Sequence, residues 1–318
     1  MDPVTHTLAG VALSHALFRD RVGPKATLTL ALASNLPDVD VIVHVMGSPA
    51  AVLWRRTFGH SVFTIPLLAA GLAWLLKRRY AKNVRFGTLY GMCLFGAIVH
   101  VFLDLINSFG VVPLWPVSDW RPELSIVFIV DLILTGLLAA PLVLAAAGLR
   151  RRLMGLSQAA LVACLFYFML CGSARSMVLV QLSEEAARIG VRPDFLYVFP
   201  EPFGPHRWRG VLRAGDIYRL YLMRPFSGIR EPRGERETTP DLPAVRLARE
   251  SPRGRRAEWF FKAPVWSLVA GSAVQDAFTE VRASDLRFAS ILLHWDVDRR
   301  PSFEFRFRVG PGETVVPL

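Results

Sequence analysis

Four apolar stretches, residues 61–76, 86–107, 124–149 and 153–180, constrain this chain more than any other feature in it. Each is long enough, or nearly so, to cross a hydrocarbon layer about 30 Å thick as a helix rising about 1.5 Å per residue. With 53% hydrophobic residues in a length of 318, the chain predicts a mainly α-helical integral membrane bundle of about four spans. Two shorter apolar segments, near 4–18 and 26–36, precede them and are separated by a basic turn from Arg19 to Lys25. Too short to span, they predict a helical hairpin packed on the bundle, closed by Pro37. Met1-Asp2-Pro3-Val4-Thr5-His6 has no basic n-region, so no secretory signal is expected and the apolar segments stay in the membrane.

The charge pattern orients the bundle. Of the fifteen Lys and Arg residues up to residue 183, eleven fall in three clusters at 19–25, 77–85 and 150–152, between apolar segments. That is how cytoplasmic loops are marked in an inner membrane of bacterial type. The formal net charge of +11 therefore does not indicate a nucleic-acid partner, and no aromatic-interleaved basic run supports one. Cys93, Cys164 and Cys171 lie within apolar spans and provide no disulfide framework, so they do not report the redox compartment.

After residue 183 the composition changes. Segments 195–198, 208–213, 217–223, 286–295 and 302–309 are rich in β-branched and aromatic residues, with turns expected at Ala214-Gly215-Asp216 and Asp298-Arg299-Arg300-Pro301. Residues 231–256 are charged and proline-containing and read as a surface excursion. Two domains are expected: a membrane-embedded helical domain over 1–183 and a small β-rich domain over 184–318, on the extracytoplasmic side.

Only eight acidic residues occur up to residue 183, which makes each one in an apolar setting informative. His100 and Asp104 sit four apart in the stretch 86–107, on one face of a helix. Under the topology above, Asp38, Asp40, His60, His100, Asp104 and Asp131 all reach the outer face, and His6 joins them if the hairpin opens outward. Each has a plainer reading. Asp38 and Asp40 suit a turn after Pro37, and Asp40 suits a helix cap. His60 suits a helix start at the interface, Asp131 a pair with Arg175, and His100 with Asp104 a hydrogen-bonded pair that holds the bundle. His15 and His44 read as packing or interfacial residues, and His206 and His294 as structural or surface ones. Together the set predicts a divalent metal held by oxygen and nitrogen, with zinc expected first, manganese or another ion as alternatives, and the number of ions open.

The successive motifs Asp2-Pro3-Val4-Thr5-His6-Thr7-Leu8-Ala9-Gly10, Leu36-Pro37-Asp38-Val39-Asp40, Gly59-His60-Ser61 and His100-Val101-Phe102-Leu103-Asp104 resemble those of the YdjM-like family. That family is described as inner-membrane, metal-dependent hydrolases. The resemblance covers residues 1–143 well and 194–288 more loosely, through Trp208-Arg209 and Asp285-Leu286-Arg287-Phe288. It departs at Phe58-Gly59-His60-Ser61, where many relatives carry His-Arg-Gly-x-Thr-His-Ser and this chain keeps Arg56 and Gly59 only in part. The Asp…His…HxxxD order is also similar in spacing to zinc-dependent phospholipase C enzymes.

These resemblances imply metal-assisted hydrolysis of a lipid or lipid-linked ester or phosphoester near the extracytoplasmic face. His60, His100, Asp104 and Asp38 would be ligands, Asp40 a ligand, bridge or base, and His6 a ligand or leaving-group acid. Asp131 would be a ligand or the group that orients an imidazole. No Gly-x-Ser-x-Gly elbow suggests a serine hydrolase. The alternatives are a carrier of a cation or proton, and a non-catalytic metal-binding scaffold whose tail recruits a partner.

Overall fold

Asp2 and Pro3 are a strong helix start, and the computed structural model shows that start in use. The Asp2 carboxylate accepts the Thr5 N–H at 3.0 Å and opens α1 (Pro3–Leu13). The structure describes residues 1–46, 53–269, 278–290, 304–310 and 314–317, with the side chains of 43–46 outside that description. A π turn over Ser14–Phe18 and the short α2 (Arg19–Val22) end at Gly23, where φ is 80°. α3 (Lys25–Ala33) then runs back along α1. The pair is close: a Cβ on Gly10 would lie 2.5 Å from the Leu30 carbonyl oxygen. This is the expected hairpin.

Residues Leu36–Met46 form a 3-10 helix rather than an open turn, and a second, one-turn 3-10 segment covers Phe58–His60. α4 (Ile65–Arg79) and α5 (Phe86–Leu105) pack through small residues, with Ala69, Ala73, Leu89 and Cys93 buried against Ala33 of α3. Gly96 brings α5 onto α3, since a Cβ there would come within 2.7 Å of the Ala33 Cβ. α6 (Leu132–Leu144) leads through a π turn at Ala145–Leu149 and a 3-10 turn at Arg150–Arg152 into α7 (Leu153–Arg188). A second core joins α1, α5, α6 and α7 through Ala9, Leu103, Leu134, Leu138, Cys164 and Tyr167.

The expectation of four spans is corrected. Among the described residues, two helical stretches are long and apolar enough to cross a membrane, Phe86–Leu105 and Leu132–Arg188. α4 has 15 residues and ends in Lys77-Arg78-Arg79, giving about 22 Å of helix, which falls short of the hydrocarbon thickness. The stretches expected at 124–149 and 153–180 share one helical run, interrupted where Gly148 takes φ 104°. Within the span expected at 124–149, residues 124–130 are not helical. Large apolar side chains, among them Val143, Val162, Leu165, Phe166 and Met169, point outward from this run. In water they would form an apolar patch, and in a bilayer they form a lipid-facing surface.

The chain divides into two compact units, one of Met1–Met46, Trp54–Ser173 and Pro202–Pro205, the other made chiefly of Ala174–Glu201 and residues from His206 onward. The second unit contains two four-stranded antiparallel sheets. The first is β1 (Phe195–Pro200), β2 (Trp208–Ala214), β3 (Ile217–Arg224) and β4 (Ile229–Glu237), and the Ala214–Ile217 hairpin turns at Gly215 as expected. After α8 (Pro243–Glu250) and α9 (Pro252–Phe260), the second sheet comprises β5 (Pro264–Leu268), β6 (Thr279–Asp285), β7 (Glu304–Val309) and β8 (Val315–Pro317).

The surface excursion expected over 231–256 is thus a strand and two helices. β4 is an edge strand whose charged side chains stay partly or fully exposed, so it lacks the apolar alternation of a half-buried strand. Of the strand expected at 286–295, Leu286–Phe288 is a 3-10 turn. Residues 291–295, with His294, and the Asp298–Pro301 turn lie outside the described residues. A buried ionic clasp ties the unit together. Arg209 Nη1 meets Glu201 Oε1 at 3.1 Å, Arg209 Nη2 donates to the Arg287 carbonyl at 2.8 Å, and Arg287 pairs with Asp285 at 3.1 Å.

Candidate metal centre

α5 supplies the first two groups. His100 and Asp104 are both fully buried, one turn apart, with His100 Nε2 at 3.5 Å from Asp104 Oδ2. Gly96, one turn earlier on the same face, lets α5 approach the end of α3. There the Ser34 carbonyl takes up His100 Nδ1 at 2.7 Å. A carbonyl can only accept, so Nδ1 carries the proton and Nε2 faces inward with its lone pair.

The Phe58–His60 turn brings in the third group. His60 Nδ1 lies 3.0 Å from Asp40 Oδ2; with the proton on that nitrogen, Nε2 is the inward-facing acceptor. That Nε2 lies 3.1 Å from Asp104 Oδ2 and 3.2 Å from His100 Nε2. Burial, with the Arg56 guanidinium nearby, holds the His60 pKa well below its usual value, so the imidazole is neutral. Two imidazole lone pairs and a carboxylate therefore converge on one point. Asp38 completes the set: one ligand atom from each of Asp38, His60, His100 and Asp104 lies within 4.8 Å of the others. Two nitrogens and two oxygens suit zinc and similar divalent ions.

The 3-10 helix at Leu36–Met46 gives its two aspartates different tasks. Asp38 is at the centre, 3.9 Å from His100 Nε2, and is paired with Arg55 at 3.2 Å. Asp40 sits behind His60 and also accepts the Thr57 N–H at 3.1 Å. Burial pushes the Asp40 carboxyl up to about 6, against the opposing pull of Arg55, Arg56 and the Thr57 N–H. Its Oδ1 is buried with no hydrogen-bond partner among the described residues.

His6 lies beside the cluster. Its ring stacks on His100 with centroids 3.7 Å apart, and Nε2 is 3.4 Å from Asp104 Oδ1. It is fully buried, and neither ring nitrogen has a hydrogen bond among the described residues. Leaving a buried polar group unmatched costs about 1–3 kcal/mol. Burial and the neighbouring His100 lower its pKa, so it is a neutral imidazole with lone-pair capacity at the site.

Asp131 lies outside the four-residue cluster. Its Oδ1 caps α6 by accepting the Leu134 N–H at 3.0 Å, and Oδ2 accepts from the Tyr167 hydroxyl at 2.7 Å. Its backbone carbonyl accepts from the Thr135 hydroxyl at 2.8 Å, and that hydroxyl lies 2.7 Å from the Thr5 hydroxyl next to His6. His15 is buried in the π turn, away from the cluster.

Several groups escaped the sequence reading. Arg56, with φ at 60°, sends Nε to Asp104 Oδ2 at 2.7 Å, Nη2 to Oδ1 at 2.8 Å and Nη1 to Asn107 Oδ1 at 2.9 Å. Asn107 also donates to Asp104 Oδ1 at 3.3 Å, and the Met1 amine meets that same oxygen. Gly59 is required by close approach: a Cβ there would lie 2.0 Å from the Pro37 carbonyl oxygen. The signals were present in part. Asn107 follows Asp104 by three residues on the same helical face, and Arg56 is an arginine outside the basic clusters.

No curated protein and no solved structure matches this chain. The family described as YdjM inner membrane protein matches residues 1–178, a span that includes every group of the cluster and more than half of the chain. The chain belongs to the YdjM inner membrane protein family.

Proposed function

We propose that this protein is a metal-dependent hydrolase of the inner membrane, acting on a lipid or lipid-linked ester or phosphoester at the extracytoplasmic face. The observation that carries this reading is convergence: His60 Nε2, His100 Nε2 and Asp104 Oδ2 meet within 3.5 Å of one another, backed by Asp40 behind His60 and by the Ser34 carbonyl behind His100. Groups that back a metal-bound imidazole in this way fix its orientation and raise its basicity. A divalent ion there, zinc first, would polarise a substrate oxygen and lower the pKa of a bound water toward about 7.

The protein's own residues divide the remaining work. His60, His100, Asp104 and Asp38 hold the ion, and Asp40 holds His60. His6, neutral and unmatched beside Asp104, holds or passes a proton at the edge of the site. The apolar surface of α6 and α7 suits a site next to lipid, and the basic clusters support an extracytoplasmic second unit. Bilayer nanodiscs containing the zinc-loaded protein should hydrolyse a lipid ester or phosphoester, and His60→Ala should abolish it. Full metal occupancy with no turnover of either class would make the protein a metal-binding scaffold.

A further inference from the structure

The depth of the cluster follows from the helix that carries it. α5 begins at Phe86, directly after the basic run at 77–85, and basic loops mark the edge of a hydrocarbon layer. At about 1.5 Å per residue from there, His100 and Asp104 stand about 21 and 27 Å along the axis. A layer about 30 Å thick still surrounds them, and any tilt of α5 sets them deeper. α4 agrees: measured back from Lys77-Arg78-Arg79 it reaches only about 22 Å, so the His60 turn before it lies at the same level.

The side chains around the cluster fit that depth. His60, His100 and Asp104 have no exposed side-chain surface, whereas Asp38 has 16%, so Asp38 is the edge by which the cluster meets its surroundings. Every well-exposed residue described between 36 and 67 is a large hydrophobe. Val39, Val41 and Ile42 follow Asp38, Trp54 precedes its partner Arg55, and Val62 and Phe63 follow His60. Leu67 carries this surface onto α4, and Ile98 and Phe102 face outward from α5 at the same level. The Val62 N–H donates to the Pro113 carbonyl at 2.9 Å, which joins the loop carrying exposed Val117 and Trp120 to the same rim. Asp119 is the one well-exposed charge of that loop. A mouth bathed in water would be lined by polar groups, and an apolar rim of this extent marks contact with another apolar phase. Its continuity with α5, a helix long and apolar enough to cross a membrane, makes that phase lipid.

We propose that this rim is immersed in the acyl region of the leaflet opposite the basic clusters, and that Asp38 opens the metal centre sideways into that leaflet, toward a lipid and away from water-soluble esters. Naming a lipid as the molecule that arrives rests on the metal-dependent reading above; the immersion of the rim does not. Interfacial segments bury an apolar face about 5–10 Å into the boundary of headgroups and acyl chains, and the indoles of Trp54 and Trp120 suit that boundary. A lipid already in the leaflet would bring its headgroup to the cluster while its chains stay against Val39, Ile42 and Phe63.

The test uses the full chain in phospholipid nanodiscs, with a nitroxide on Val39→Cys, Ile42→Cys or Phe63→Cys and spin relaxation by oxygen compared with relaxation by a water-soluble nickel chelate. Cys93, Cys164 and Cys171 are buried, and wild type taken through the same labelling measures their contribution. Ile98→Cys on the outward side of α5 is the lipid benchmark, and Lys82→Cys in the basic loop is the water benchmark. Oxygen concentrates in hydrocarbon and the chelate is excluded from it, so the oxygen-to-nickel ratio at all three rim positions should match Ile98→Cys and exceed Lys82→Cys by about 10-fold. A water-like ratio at Ile42→Cys and Phe63→Cys would overturn the immersion. A lipid-like ratio at those two with a water-like ratio at Val39→Cys would overturn the sideways opening, because water then reaches Asp38. An immobilised label that neither reagent reaches would show protein covering the rim and overturn both. None of these readings uses zinc or turnover. A lipid-like rim on a protein that takes up no zinc would therefore overturn the hydrolase reading and the arriving lipid, and leave the immersion standing.

Discussion

Asp40→Asn separates orientation of a ligand from ligation itself. Asp40 Oδ2 accepts from both His60 Nδ1 and the Thr57 N–H, at 3.0 and 3.1 Å. An asparagine carbonyl in the same place keeps both hydrogen bonds and removes only the charge. Removing the group that backs a metal-bound imidazole costs about 10–100-fold in metal affinity, or about 1.4–2.8 kcal/mol. Asp40→Ala removes the acceptor altogether and strands two buried N–H groups, each costing about 1–3 kcal/mol, so it should also lower thermal stability. Competition against a chromophoric zinc chelator measures the first effect, and thermal unfolding in detergent the second. Affinity of Asp40→Ala within twofold of wild type would refute the orienting role; Asp40→Asn, which keeps both hydrogen bonds, should lose less. A loss as complete as that of His60→Ala would show that Asp40 is itself a ligand through its unmatched Oδ1.

Gly59→Ala drives a methyl group into the Pro37 carbonyl, 2.0 Å away, and should cost about 1–3 kcal/mol in thermal stability while lowering zinc affinity at least 10-fold. Asp131→Ala removes the α6 cap, worth about 0.5–2 kcal/mol, so the midpoint of unfolding should fall with zinc content intact; zinc loss would return Asp131 to the site. Arg209→Met removes the buried cation that meets Glu201 and should destabilise the second unit by about 3–5 kcal/mol, visible as faster limited proteolysis after residue 206.

Much of the site was legible because buried charge is rare in an apolar chain. His100 and Asp104 announced themselves by a one-turn spacing within residues 86–107, and Asp2-Pro3 marked the start of α1. Asp38 was legible as a ligand candidate, but the place of Asp40 behind His60 was not. A turn after Pro37 would leave them equivalent, whereas the 3-10 helix sends one to the centre and the other to the back of His60. Apolar runs report contact with lipid or core but not helix continuity, so the short α4 and the break at Gly148 were hidden in hydropathy. β4 was missed because an edge strand rich in Arg and Glu has no buried face to impose a period of two. Arg56 was read as a remnant of a motif because the partner that explains it, Asp104, is 48 residues away.

Metal content of purified protein, wild type against His60→Ala, His100→Ala and Asp104→Ala, tests the central claim most directly. His15→Ala, buried but outside the cluster, is the control. Mass-spectrometric metal analysis after zinc loading and desalting should find stoichiometric zinc in wild type and His15→Ala, and at most about a tenth of it in the three site variants, because each leaves an incomplete ligand set. Equal zinc in wild type, His100→Ala and Asp104→Ala, all correctly inserted, would contradict the account and reduce the cluster to a hydrogen-bonded knot that holds the helices together.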